Sequence, residues 1–261
     1  MARIRIHHVR GRAEATLSED ACADRNRGKH VLTDLDIMRL HVEAEFTHDA
    51  AGDLVSTNEP GAATAPRFFV GQTAVGVVRC YRRDVSEDRR RALEAVQLEP
   101  RATTMDSPLD PTAFQRILSE DASIQHTSVG LAFRVPRALA SAPNTRILHD
   151  PADATLLHPL LGAWAPDIEA SAPLVALVLD GQAVAVCASV RITPLAHEAG
   201  VEAAAPFRGR GYATAVVAAW SAAVRALGAE PLYSTTWQNT PSRALARALG
   251  LVVVGRDLHI T

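Results

Sequence analysis

The chain contains very little lysine and no long uncharged hydrophobic run. Lysine occurs once, at Lys29, and the formal net charge of the 261 residues is −2. This balance produces no overall field that would attract nucleic acid or an anionic membrane surface. No apolar stretch reaches the roughly 20 residues that a membrane-spanning helix needs. We therefore expect partners other than nucleic acids and membranes.

The cysteines are too few and too widely spaced for a metal or redox motif. Cys22, Cys80 and Cys187 form no Cys-x-x-Cys pair, and an odd number does not make a disulfide framework. His7-His8 has no partner at metal-ligand spacing. The sequence therefore predicts no metal cofactor and a reducing, cytoplasmic location.

Residues 1–30 are rich in arginine and lack a hydrophobic segment. A secretory signal requires such a segment, and acidic residues such as Glu14 and Asp20 are unusual in an organelle transit peptide. We expect a flexible N-terminal tail, or upstream sequence translated in front of a later start.

Residues 31–142 have a globular composition without the spacing of a catalytic constellation. The patterns predict a helix capped by Thr33, hairpins over 46–58 and 67–81, helices opened by Ser86 and by Asp110-Pro111, and a strand over 130–136. We interpret this segment as a smaller α+β accessory unit on the substrate side, ending near the Ala-Ser-Ala-Pro stretch at 140–143. A dimer surface, a decayed copy of the following domain and a ligand-sensing domain remain alternatives.

The most informative motif is Phe-Arg-Gly-Arg-Gly-Tyr-Ala at residues 207–213, which precedes an Ala-rich segment over 214–227 that reads as a helix. Glycines let backbone amides approach an anion closely, and a helix N-terminus carries about half a positive charge. Arg208 and Arg210 would add charge-assisted contacts to phosphate oxygens. The stretch therefore predicts a phosphate-binding loop.

Two common classes of phosphate loop do not fit this stretch. A Walker loop needs a lysine after its last glycine, and none follows Gly211; a dinucleotide fingerprint needs a third glycine where Thr214 stands. The pattern Arg/Gln-x-x-Gly-x-Gly/Ala does fit, through Arg208, Gly211 and Ala213. It resembles the pyrophosphate-binding motif of the GNAT acetyltransferase superfamily.

The order of predicted elements around the loop agrees with this resemblance. Runs over 173–179 and 182–192 flank the hairpin signal Asp180-Gly181, and a strand over 197–205 enters the loop. A strand over 232–237, a helix from Asn239 to Gly250 and a last strand follow. Asn239, with Leu245, Leu249 and Gly250, resembles the second motif of the superfamily.

The resemblance implies a fold for residues 143–261, the predicted acyl-CoA-binding catalytic domain. The expected fold class is α/β (α+β), with a mixed, mostly antiparallel sheet flanked by helices and preceded by the smaller α+β unit. The implied co-substrate is acetyl-CoA. Its expected contacts are Ala203, Ala204, Ala205, Arg208, Gly209, Arg210, Gly211, Tyr212, Ala213, Thr214, Asn239, Ser242 and Arg243.

The resemblance also places a general base on the strand that enters the loop. Counting back from Arg208, the position where the superfamily often has a carboxylate is His197, with Glu198 beside it and Glu202 further along. A histidine with a pKa near about 6.5 is suited to this task. Neighbours on a strand face opposite ways, so His197 and Glu198 cannot both enter the cleft without a bulge. The alternative is an ordinary polar edge.

The general acid is where the sequence departs from the superfamily. The position that often holds a tyrosine is Ala246. Ser242, Tyr233 or water would then protonate the thiolate, or the thiolate would leave unassisted.

These features predict an acyl-CoA-dependent N-acyltransferase, which transfers an acetyl group directly to the primary amine of a small molecule or peptide in a ternary complex. The alternative, favoured by the missing tyrosine, is a catalytically silent acyl-CoA-binding sensor or interaction module. The near-neutral charge and the lack of an acidic cluster in the sequence weakly disfavour a polycationic acceptor. Apolar edge strands make a homodimer a further expectation.

Overall fold

The computed structural model describes residues 32–98, 107–139 and 143–261. The predicted tail at 1–30 and most of the predicted boundary at 140–143 lie outside these ranges. Residues Leu32–Thr261 form one compact unit. Within the described ranges, no helix combines the length and the hydropathy needed to cross a membrane.

Helices and strands alternate irregularly along the described chain. Their order is α1 (Asp34–Glu45), β1 (Phe46–His48), β2 (Leu54–Thr57), β3 (Phe68–Thr73), β4 (Val77–Tyr81), α2 (Glu87–Glu94), α3 (Thr112–Ser119), β5 (Thr127–Arg134), β6 (Thr145–Leu148), α4 (Ala154–Leu157), β7 (Leu174–Leu179), β8 (Gln182–Ile192), β9 (Ala196–Ala203), α5 (Tyr212–Ala226), β10 (Glu230–Thr236), α6 (Thr240–Ala248) and β11 (Val252–Ile260). Short 3₁₀ helices span Pro151–Asp153, Gly162–Asp167 and Ala205–Phe207.

One mixed sheet of nine strands organises the fold, in the order β4-β3-β11-β5-β10-β9-β8-β7-β6. Its strand pairs are antiparallel except β9 and β10, which are parallel. The expected mixed, mostly antiparallel sheet flanked by helices is therefore confirmed. Strands β3, β4 and β5, which precede residue 143, belong to the same sheet as β6 to β11. The division of the chain at 142/143 stays a prediction.

Helices cover both faces of this sheet. Phe68 and Phe69, neighbours on β3, show the alternation: the Phe68 ring packs on Phe114 of α3, with 5.2 Å between centroids, while Phe69 joins the cluster around α1. Both rings are fully buried, and burying each contributes about 1.5–3 kcal/mol. Helices α5 and α6 share a third cluster with Trp220 and Phe133 on the α3 side.

Helix α1 lies very close to the sheet because two glycines make room for Met38. A Cβ at Gly71 would stand 2.4 Å from the sulfur of Met38, and one at Gly255 would stand 2.7 Å from its terminal methyl carbon. Thr33 caps the helix through a capping box with Asp36, as the Thr33 signal predicts. Because α1 lies so close to the sheet, His41, one turn beyond Met38, packs against the middle of the sheet.

Local signals predict several turns and caps correctly. Asp180 and Gly181 join β7 to β8 with φ of 49° and 78°, which is the left-handed pair that a tight hairpin requires. Ser86 caps α2, and Asn239 caps α6. Strand β6 and the short helices between residues 151 and 167 are not anticipated by the sequence, because they are too short for a periodic pattern.

Candidate active site

The site is an opening in the middle of the sheet, where β9 and β10 separate. The two parallel strands pair only over Glu230 to Leu232 against Ala196 to Glu198, although β9 continues to Ala203 and β10 to Thr236. A cavity of about 1030 Å³ is lined by the unpaired parts of both strands. The same cavity reaches the loop before α5 at one end and residues of α1, β3, β5 and β11 at the other.

The loop before α5 has the backbone that an anion site requires. Gly209 and Gly211 have φ of 74° and 78°, and Gly211 is the N-cap of α5 without a capping side chain. Space near Gly209 is open, with no heavy atom within 4 Å of the place where a Cβ would stand. The first amides of a helix lack backbone acceptors, so those of Tyr212 and Ala213 are available to a ligand in the cavity.

The structure brings most of the predicted co-substrate contacts to this cavity. Those that line it are Ala203, Arg208, Gly209, Gly211, Tyr212, Ala213, Thr214, Asn239 and Ser242. The Nε of Arg208 donates to the carbonyl of Ala203 at 3.1 Å, and the hydroxyl of Thr214 donates to the carbonyl of Gly211. The nine residues therefore line the same cavity, and their role in binding stays a prediction.

Four predicted contacts lie elsewhere among the described residues. Ala204 is buried in the core beside Leu174 and Ala188, and Ala205 starts a 3₁₀ turn. Arg210 stacks on Phe207 with its guanidinium 5.5 Å from the ring centroid; Arg243 stacks on Trp237 at 4.2 Å and donates to the carbonyl of that residue. Both arginines lie over aromatic rings, and neither lines the cavity.

The three predicted base residues lie in three different environments. Glu198 is 1% exposed; its Oε1 lies 2.6 Å from Nδ1 of His41, and its Oε2 accepts from the hydroxyl of Ser234 at 3.3 Å. His41 and Ser234 line the cavity. Glu198 is therefore tied to two cavity-lining side chains, one from α1 and one from β10.

His197 and Glu202 have other partners. The Nδ1 of His197 lies 2.8 Å from the hydroxyl of Ser189, which accepts from the indole of Trp220 in α5 at 3.1 Å. His197 thus lies on the α5 face and Glu198 on the α1 face, as strand alternation predicts. Glu202 lines the cavity and accepts from the indole of Trp164 at 2.7 Å. Burial lowers the pKa of His197.

A buried charged cluster surrounds His41 at the inner end of the cavity. The imidazole Nε2 lies 3.9 Å from Asp257, and Glu45, one helical turn along α1, accepts from Arg191 at 3.1 Å. Burial alone would lower the pKa of His41, but the charges of Glu198, Glu45 and Asp257 and the hydrogen bond to Glu198 raise it to about 9. Burial raises the pKa of Glu45 and that of Asp257. The imidazole is therefore protonated at neutral pH.

A phenol stands where the cavity meets α6. Tyr233 of β10 is 2% exposed, and its hydroxyl lies 2.7 Å from that of Ser242. Burial raises the pKa of Tyr233 to about 12, so the phenol keeps its proton. Ala246 is buried inside the α5 and α6 core. A proton donor is thus present near α6, but it comes from the strand and not from the helix.

Sequence reasoning did not find His41, Glu45 or Asp257. Each comes from an element outside the recognised loop, and no spacing in the chain connects them with it. One signal was available in α1, where His41 occupies the apolar stripe, four residues from both Ile37 and Glu45. A polar pair on the buried side of a helix indicates a buried partner, but not which one.

The part of the chain that contains the loop and strands β9 and β10 is similar to a known protein family. Residues 144–251 match the family model described as Acetyltransferase (GNAT) family. The predicted GNAT domain in the C-terminal part of the chain is confirmed. No curated protein sequence matches the chain.

Solved structures of this family are similar over part of the chain. A GNAT-family acetyltransferase from Novosphingobium aromaticivorans is 19% identical, with a TM-score of 0.43, over 52% of this chain and 65% of that one. A GCN5-related N-acetyltransferase-like protein from Streptococcus suis is 16% identical, with a TM-score of 0.42, over 57% of this chain and 68% of that one. An acetyltransferase from Colwellia psychrerythraea is 15% identical, with a TM-score of 0.44, over 59% and 63%. The match thus spans about two thirds of each of these structures.

Proposed function

We propose that this protein is an acyl-CoA-dependent N-acyltransferase, which transfers an acetyl group to the primary amine of a small molecule or peptide. One observation carries the proposal. A single cavity between β9 and β10 reaches from an anion-binding loop at one end to His41 at the other, and the His41 ring is hydrogen-bonded to the buried Glu198. The loop is suited to holding a phosphorylated acyl carrier, and the Glu198–His41 pair to taking a proton from an amine.

The residues of the loop fit the pyrophosphate of acetyl-CoA. The space beside Gly209 is open, and the first amides of α5 are free to bind an anion there; a Cβ at Gly209 would take up part of this space. Arg208 adds a positive charge. When bound, acetyl-CoA supplies an acetyl group activated as a thioester. The separated strands leave unpaired backbone groups on β9 and β10 that are able to orient and polarise a carbonyl in the opening.

The attacking amine must lose a proton, and Glu198 is placed to accept it. Its carboxylate is held between His41 and Ser234, both of which line the cavity. The entering ammonium passes its proton to the Glu198 carboxylate, which leaves a neutral amine that is able to attack the acyl carbon. His41 then acts as a positioning residue that orients Glu198 and shares its proton. Base catalysis of this kind contributes about 10²–10⁴-fold to rate.

The departing sulfur needs a proton, and Tyr233 is the candidate donor. In the overall reaction a bond forms between the amine nitrogen and the acyl carbon, the carbon–sulfur bond breaks, and the thiolate receives a proton. The phenol of Tyr233 is protonated and hydrogen-bonded to Ser242, which lines the cavity beside it. This pair takes the place of the tyrosine that the sequence lacks at Ala246.

The segment before residue 143 contributes residues to the inner end of the cavity, where the acceptor amine would bind. His41, Glu45, Phe69, Ser128 and Gly130 line the cavity opposite the loop. These contacts support the predicted substrate-side role of residues 31–142. A cytoplasmic location stays a prediction, in line with the free thiols of Cys80 and Cys187.

The proposal is tested by following free thiol release from acetyl-CoA across a panel of amines, with Arg208→Ala and Glu198→Gln variants. We expect amine-dependent release, with weaker acetyl-CoA binding in the first variant and a lower kcat in the second. Binding of acetyl-CoA by the wild type without thiol release from any amine in the panel would favour the silent sensor.

A further inference from the structure

The inner end of the cavity contains a buried carboxylate without a full counter-charge. We propose that Asp257 binds a second positive charge on the acceptor, so that the substrate class is a diamine or another amine that carries an additional cationic nitrogen. This inference rests on the proposed function, because it assigns the acceptor of the same site.

Asp257 is positioned as a ligand-binding group. The residue is 6% exposed and lines the cavity. Among the described residues, its carboxylate has no hydrogen-bonding partner other than its own backbone, and His41 Nε2 is 3.9 Å away. Both carboxylate oxygens lie 2.9 Å from the place where a Cβ at Gly130 would stand. Gly130 therefore provides the space in which the carboxylate faces the cavity.

The surrounding charges do not neutralise Asp257. Arg191 donates to Glu45 and to Glu59, at 3.1 Å each, so its charge is already shared by two acids. The imidazolium of His41 is hydrogen-bonded to Glu198 through Nδ1. The inner end therefore holds more carboxylates than cations, because Asp257 and Glu198 share the charge of His41, whose Nε2 is 3.9 Å from Asp257. A buried carboxylate whose counter-charge is shared is stabilised further when a cation binds.

The other groups at this end do not add a positive charge. His259 lines the cavity; burial and the nearby cations lower its pKa to about 4, so it is neutral at pH 7. Phe69 lines the same end, 6.1 Å from the His41 ring between centroids.

A metal ion is the competing occupant of this cluster. One ligand atom each from His41, Glu45 and Glu198 lies within 4.8 Å of the others. However, His41 and Glu198 are already 2.6 Å apart in a hydrogen bond, and Arg191 occupies Glu45. His41 and Glu198 are thus each other's partners and Arg191 is the partner of Glu45, whereas Asp257 lines the cavity. An ammonium at Asp257 fits this arrangement without breaking either contact.

The test compares acceptors that differ only in the second charge. Steady-state thiol release and calorimetric binding to the CoA-saturated enzyme are measured for 1,4-diaminobutane, its C3, C5 and C6 homologues, and the amino alcohols of equal length. We expect KM and Kd to be about tenfold lower for the best diamine than for its amino alcohol, as one charged contact of about 1.4 kcal/mol provides. Asp257→Asn should remove this difference in KM and in Kd between the diamine and its amino alcohol.

Gly130→Ala is the second variant. Its Cβ would stand 2.9 Å from both Asp257 carboxylate oxygens and 3.0 Å from the carbonyl oxygen of Thr235. The variant therefore displaces the carboxylate without changing any charge, and it should also reduce the preference for the diamine. Equal KM values for diamine and amino alcohol, or a preference that persists in Asp257→Asn, would overturn the proposal. So would calorimetric binding of Mg²⁺, Mn²⁺ or Zn²⁺ that Asp257→Asn abolishes. Diamine binding that depends on Asp257, without thiol release from any acceptor, would retain the cation site and reject the transferase.

Discussion

His41 in α1 and Glu198 in β9 form a buried hydrogen-bonded pair, with 2.6 Å between Nδ1 and Oε1. The two residues are separated by 157 positions in the chain. Because Glu198 lies where β9 leaves β10, the pair joins a helix that precedes the GNAT domain to the opening inside that domain.

Replacing Glu198 by glutamine tests its role as the proton acceptor. The amide keeps the shape of the side chain but not its basicity, so we expect kcat to fall by about 10²–10⁴-fold. Acetyl-CoA affinity should change little, since the loop at the other end of the cavity is intact. Steady-state kinetics and calorimetry measure the two effects separately.

The matched control for this variant is Glu169→Gln, at an exposed position. It makes the same chemical change outside the cavity and should retain wild-type kcat. A kcat for Glu198→Gln equal to that of this control would show that the base lies elsewhere.

The pKa of His41 can be measured directly by NMR titration of the histidine rings. We expect an apparent pKa of about 9 in the wild type, assigned by the signal lost in His41→Gln. In Glu198→Gln the pKa should fall, because burial still disfavours the charged ring while the largest attraction is gone. A wild-type His41 that titrates at or below 6.5 would contradict the charged pair.

The raised pKa of His41 also makes the stability of the fold depend on pH. The pKa of His41 is higher in the folded protein, at about 9, than its ordinary value of 6.5. Protonation therefore stabilises the fold fully below pH 6.5, and this contribution is lost as the pH rises through 9. Thermal unfolding should show a lower Tm at pH 9.5 than at pH 6.5. An unchanged or higher Tm at pH 9.5 would indicate that this contribution is absent.

Gly209→Ala tests whether the loop before α5 binds the phosphates of CoA. A residue with a side chain at φ of 74° costs about 1 kcal/mol or more, and its Cβ would narrow the cradle. We expect weaker binding of CoA by calorimetry, together with a lower Tm.

Gly181→Ala is the control for that strain. Gly181 has φ of 78° and equally open surroundings, but it lies in the turn between β7 and β8. It should lower the Tm to a similar extent and leave CoA affinity as in the wild type. Equal CoA affinity in both variants would argue against the loop as the phosphate site.

Tyr233→Phe tests the proposed proton donor. Removing the hydroxyl leaves the ring packed edge-on against Phe133, so the fold should persist while kcat falls by about 10²-fold. Acetyl-CoA affinity should stay within a factor of about two of wild type. Tyr81→Phe is the matched control, because its hydroxyl donates to Glu94 away from the cavity. If both variants keep full kcat, the thiolate leaves without help from Tyr233.

The loop and its flanking elements were predictable because their signals are local. Gly209 and Gly211 adopt the positive φ that only glycine tolerates well, Asn239 caps α6, and Asp180-Gly181 makes the hairpin turn. Strand alternation also predicted that His197 and Glu198 face opposite ways. The sequence could not decide which of the two contacts cavity-lining side chains, since that depends on which helices cover each face of the sheet.

The inner end of the cavity was not predictable from the sequence, because its residues meet only through long-range packing. Met38 reaches over Gly71 and Gly255 to place α1 on the sheet, and only that packing brings His41 to Glu198 and Asp257. The sequence has no acidic run, yet the fold assembles an acidic group from three elements. The lack of an acidic cluster in the sequence weakly disfavoured a polycationic acceptor. That argument does not apply to the inner end of the cavity, where the fold brings acidic side chains together.

The most direct test of the central claim is amine-dependent release of CoA thiol by wild-type protein and by Glu198→Gln under saturating acetyl-CoA. The account predicts release that requires an amine, gives the N-acetylated amine in equal amount, and falls by about 10²–10⁴-fold in the variant. Release that needs no amine, or saturated acetyl-CoA binding without release from any amine of the panel, would contradict transfer at the opening between β9 and β10.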